Sequence, residues 1–133
     1  MVTAYEYITL AELEAFALTD YSAVYPNEVE ATVNANVEAV ISQSEREVNT
    51  KVGQSFAVPI PDAIVAVTTE LSYRRMYNRM VWDGIMDREN PKRKLMPLWD
   101  DDLQGLIKPF IAKTVSPIKL LRLYNNDPTR NIQ

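Results

Sequence analysis

Histidine and cysteine are both missing from this chain, and glycine occurs only three times in 133 residues. Without cysteine there is no disulfide and no thiolate metal site, which fits a protein made in a reducing cytosol. Without histidine the commonest general base and the commonest metal ligand are gone. Ser-His-Asp, Cys-His and zinc chemistry are therefore excluded within one chain. No run of about 18 apolar residues occurs, so no segment is expected to span a membrane. The stretch Met1–Glu6 has no basic region and no apolar region behind it, so no signal peptide is expected. A net charge of −4 argues against a dedicated duplex-DNA binder, which usually carries a basic balance.

What is present is an ordinary globular composition with an uneven distribution of charge. Hydrophobic residues make up 47% and charged residues 24%, so one domain with a real core is expected rather than disorder. Residues 1–70 hold eleven acidic and two basic residues, −9; residues 71–133 hold seven acidic and twelve basic, +5; the two give −4. Head-to-tail self-association, acidic face against basic face, is one way to satisfy this split, and such a contact closes into a ring if the rotation allows. Two solvated patches on one domain are the plainer alternative.

Eight prolines punctuate the chain. Thr9 and Glu12 have the spacing of a capping box, which predicts a short helix to about Leu18 carrying Leu10, Leu13, Phe16 and Ala17. Thr19–Tyr25 reads as a loop. Val29, Val33, Val37, Val40, Ile41, Val48 and Val52 recur at helical spacing. They predict a long amphipathic helix from Pro26 to about Lys51, capped by Gly53, with Glu30, Asn34, Glu38 and Glu45 off the apolar stripe. Glu47 and Lys51 are placed for an i,i+4 pair, as are Glu70 and Arg74. An extended linker, Gln54–Ile60, leads to Pro61 and a second helix to about Val81. That helix is apolar round most of its circumference and is expected to be central.

The connection Asp83–Pro97 is long and contains Lys92, Arg93 and Lys94. Asp100–Asp102 then stand where a helix N-terminus welcomes negative charge. They lack the spacing of a calcium loop, so no metal site is expected. A last helix carries Leu103, Leu106, Ile107 and Phe110 and is ended or kinked by Pro109. Beyond it, Leu120, Leu121, Leu123 and Tyr124 are too apolar for a solvated tail and suggest an arm that docks on a partner. Tyr73, Tyr77, Trp82 and Trp99, near Arg74, Arg75 and Arg79, suit core packing and a protein interface better than base stacking. The fold expected is all-α: a small helical bundle with two long central helices, a long loop and an extended C-terminal arm. The division expected is 1–115 for the helical domain and 116–133 for the arm.

This layout resembles the head–tail connector proteins of tailed bacteriophages, also called head-completion or adaptor proteins. The residues carrying the likeness are Tyr7-Ile8-Thr9-Leu10-Ala11-Glu12-Leu13, Pro59-Ile60-Pro61-Asp62-Ala63-Ile64 and Leu106-Ile107-Lys108-Pro109-Phe110. The last is similar to the Leu-Leu-x-Pro-Tyr that closes the helical core in that family, with Phe110 for the tyrosine and Ile111 for the usual arginine. The resemblance implies a subunit of a ring, a dodecamer in the family, between the portal and the tail or stopper proteins. DNA would pass through the lumen without sequence recognition. It implies no catalytic residue, no cofactor and no metal, and a place in the virion after assembly in the host cytoplasm.

The expected subunit interface sets Glu30, Glu38 and Glu45 against Arg74, Arg75 and Arg79 of a neighbour. The expected portal-docking residues are Leu120, Leu121, Leu123 and Tyr124, and those facing the lumen are Lys92, Arg93 and Lys94. The alternative is a small helical nucleic-acid-binding or regulatory module, which would show salt-dependent DNA affinity as an isolated subunit. A small enzyme using paired carboxylates would need a deep pocket with shifted pKa values, and the sequence gives it little support.

Overall fold

The computed structural model describes residues 6–85 and 95–111. Every regular element among them is helical. In order these are α1 (Leu10–Ala17), α2 (Tyr21–Val24), α3 (Glu30–Val52), α4 (Asp62–Trp82) and α5 (Asp101–Ile107), followed by a 3-10 turn, Lys108–Phe110. The expected all-α bundle with two long central helices is the fold observed. The expected loop centre and arm lie outside the described residues.

Local chemistry sets the helix ends. The Thr9 hydroxyl accepts from the Glu12 backbone N–H at 3.1 Å while the Glu12 carboxylate takes the Thr9 N–H at 3.2 Å, closing the expected capping box. Gly53 ends α3 at φ 77°, a left-handed conformation that glycine adopts without strain. Pro61 occupies the N-cap of α4, and the Val58–Pro59 peptide in the preceding linker is cis. Pro109 sits in the 3-10 turn that replaces the continuation of α5.

Two starts differ from expectation. Asp20 caps α2, its carboxylate taking the Ser22 N–H at 3.1 Å, inside what reads as a loop. Helix α3 begins at Glu30 rather than Pro26, which leaves Val29 outside the helix and 70% exposed.

Helices α3 and α4 share the most extensive interface and form a hairpin across the linker 53–61. Val33, Val37, Ile41, Val48 and Val52 bury one stripe of α3; Ile64, Val67, Leu71, Met76 and Met80 do so for α4. Helices α1 and α5 also pack on α4, which makes it the centre of the bundle as its encircling apolar surface predicts.

The hairpin has two ends. At the base the rings of Tyr7 and Phe56, and of Phe56 and Phe110, meet edge to face at 6.0 and 5.8 Å, and Gln54 donates to the Phe110 carbonyl at 2.7 Å. At the far end the turn before α3 meets the C-terminus of α4, where the Tyr25 hydroxyl donates to Asp83 Oδ2 at 2.7 Å.

Gly105 lies inside α5 on its exposed side, and among the described residues a Cβ built there meets no other element within 4 Å. Glycine in a helix interior costs about 1 kcal/mol relative to alanine. Gly105→Ala is therefore expected to stabilise the isolated subunit by about 0.5–1 kcal/mol in thermal or denaturant unfolding. A loss of stability would mean that the glycine does serve the fold of the subunit.

Candidate functional site

The polar side chains of the hairpin form three clusters, and their geometry decides which charges are left for a partner. The first fastens the N-terminal strap. Glu45, with no exposed surface, accepts the Tyr7 backbone N–H at 2.6 Å. The Tyr7 hydroxyl donates to Asn49 Oδ1 at 2.6 Å and accepts the Phe56 N–H at 2.8 Å.

The second cluster holds the returning segment 95–100 on α4. Arg74, 8% exposed, reaches Glu70 at 3.1 Å, Asp100 at 2.9 Å and the Pro97 carbonyl at 3.1 Å. Asn78 bonds Met96 in both directions: its amide donates to the carbonyl at 2.9 Å and its Oδ1 accepts the N–H at 2.6 Å. Asp100 also caps α5 by accepting the Leu103 N–H, and this bond, with the Arg74 guanidinium, holds its carboxyl below the usual range.

The third cluster centres on Glu47, whose carboxylate takes the Arg75 guanidinium with one oxygen and the Trp99 indole N–H with the other. Lys51 stands 5.0 Å from the centre of the Trp99 ring. Glu47 thus serves α4 and the returning segment rather than the expected pair with Lys51. The expected Glu70–Arg74 pair is present.

These contacts redraw the expected interface. Glu45 is buried, so it has no surface to offer a second copy. Arg74 and Arg75 are engaged within the subunit by Glu70, Asp100 and Glu47. Arg79 is exposed but lies 3.7 Å from Asp83, which caps the C-terminus of the same helix, and Glu38 is half-buried. Of the acidic set only Glu30 stands fully in the open. Leu120, Leu121, Leu123, Tyr124, Lys92, Arg93 and Lys94 lie outside the described residues.

What the sequence did not single out is a groove of about 450 Å³ at the base of the hairpin. Lys51, Gln104, Gly105, Ile107, Lys108 and Ile111 line it, with Asp101 at one side. At the far end, Trp82 in the last turn of α4 is 78% exposed and Val29, before α3, is 70% exposed, with Glu28 and Glu30 on either side of Val29 in the sequence and also exposed. Glu28 and Arg79 share a small crevice there with Tyr25 and Met76, which places the end of α4 beside the start of α3.

Burial, and then the bond to Asp83, push the Tyr25 phenol from 10.0 up to about 12. A raised pKa in the folded state favours the neutral phenol. Its contribution is complete below pH 10.0 and is lost as the pH rises through about 12. In a tyrosinate absorbance titration, Tyr25→Phe should remove a component near pH 12. Loss of a component near pH 10.0 instead would place Tyr25 in open water.

Among the described residues no group of three metal-ligating side chains converges, and no helix is long and apolar enough to cross a membrane. No protein family, curated protein or solved structure matches this chain.

Proposed function

We propose that the chain is a structural head–tail connector of a tailed phage: one subunit of a ring between portal and tail through which DNA passes. What supports this role is the order of the elements. A short capped helix, a long helix, a proline-punctuated linker, a central helix, a connection and a short helix closed at Pro109 follow one another as they do in that family. In this role the segment 116–133 docks on the portal through Leu120, Leu121, Leu123 and Tyr124. The Lys92–Lys94 run belongs on the lumen side, and a tail or stopper protein sits below the ring. The ring is a dodecamer by likeness to the family, and its place is the virion.

The test is electron microscopy of the purified chain mixed with the portal protein of the same phage. Rings seated on the portal are expected, and deletion of 117–133 should abolish seating while the helical circular dichroism stays as it was. Failure to bind the portal, together with salt-dependent binding of bare DNA by the single subunit, would favour the nucleic-acid-binding alternative.

A further inference from the structure

The two ends of the α3–α4 hairpin are complementary to each other. The far end carries a bulky apolar group, Trp82, 78% exposed, with Val29 at 70% and Ile85 at 39%. Glu28 and Glu30 flank Val29 in the sequence and stand in the open. The base carries the groove of about 450 Å³, a volume larger than that of a single aromatic side chain. Its floor includes Ile107, and the exposed ammonium groups of Lys51 and Lys108 flank it against one carboxylate, Asp101.

Gly105 adds an independent observation. It lines the groove inside a helix, where glycine is unfavourable, and among the described residues no atom of another element comes within 4 Å of a Cβ placed there. A close approach from outside the subunit gives it a use. The ends lie about 34 Å apart along a helix of 23 residues, so one subunit cannot bring its own two ends together.

We infer that the occupant of the groove is a second copy of this chain: the Trp82–Val29 end of one subunit enters the Gly105 groove of the next, with Glu28 and Glu30 meeting Lys51 and Lys108. The contact is heterologous, so each subunit uses both ends and the series closes into a ring or runs on. The buried aromatic supplies most of the affinity and the charges set the orientation. This contact rests on the proposed ring and specifies its subunit joint.

The experiment uses two full-length variants. Trp82→Ala removes the knob at an exposed position, and Gly105→Trp fills the groove from an exposed helix position where an added Cβ meets no other described element within 4 Å. Circular dichroism checks that both keep the wild-type helix content. In sedimentation velocity the wild type is expected to form a concentration-dependent ladder. Each variant alone should associate at least about tenfold more weakly. Mixed in equal amounts, the variants should form a dimer and nothing larger, because the first keeps its groove and the second keeps its knob.

A wild-type chain that stays monomeric at millimolar concentration overturns the contact, as does a mixture that gives the full ladder. It also falls if Gly105→Trp associates as the wild type does while residues after 111 become open to protease, since the groove would then belong to the chain's own C-terminal segment. Portal binding, measured on the same samples, separates this contact from the proposed function. Ladders with the expected variant pattern but no portal binding keep the contact and remove the connector role. Portal-bound rings that neither variant disturbs keep the role and remove the contact.

Discussion

Replacing Leu71 with alanine is expected to lower the unfolding free energy by about 2–5 kcal/mol, the range for a buried leucine whose site cannot collapse. Leu71 has no exposed surface, and its helix packs on α1, α3 and α5 at once. Relaxation to fill the space would have to move three elements, which places the cost in the middle of that range or above it. Urea unfolding with an unchanged denaturant slope would show a loss of stability rather than a change in the surface exposed. A loss below about 0.5 kcal/mol, typical of a surface substitution, would put the centre of the bundle elsewhere.

Glu47→Ala is expected to cost about 2–3 kcal/mol, because two donors lose their acceptor together. The Arg75 side chain is 15% exposed, so water replaces its partner poorly, and the Trp99 indole N–H is left without its carboxylate. Glu47→Gln keeps an acceptor for one of the two and should cost less. Trp99 emission should shift in the alanine variant, while exposed Trp82 supplies a constant background. An alanine variant as stable as the wild type, with unshifted emission, would mean that the cluster contributes nothing to the fold.

Most of the helices are legible in the sequence because their caps and their spacing agree. Thr9 with Glu12, Gly53 and Pro109 all stand where the chain does turn in or out of a helix. The charged residues were harder, because a charge on an apolar stripe reads as a surface group. Glu45 falls four after Ile41 and three before Val48, which is the buried face of α3, and it is buried there because it receives the Tyr7 N–H. Arg74 falls three after Leu71 in the same way and is satisfied by Glu70, Asp100 and a carbonyl. Spacing alone could have flagged both positions; apart from Glu70, their partners Tyr7, Pro97 and Asp100, 23 to 38 residues away, could not be read from local pattern. The groove was invisible for a similar reason, since Lys51 and Lys108 come together only through the fold. Gly105 was its one sequence signal, a helix-interior glycine with no turn to make.

The hold on either side of residues 86–94 has a consequence for how the chain can change. Ile85 N–H donates to the Met80 carbonyl at 2.9 Å, and Met96 is bound both ways by Asn78, so the chain departs from and returns to the same end of one helix. Whatever lies between these two anchorages closes a circuit that the bundle already supports. Doubling the length of such a circuit costs only about 0.6 kcal/mol of closure entropy. The site is therefore a natural place for insertions: a reporter peptide or a small domain grafted there should leave the bundle's melting temperature nearly where it was.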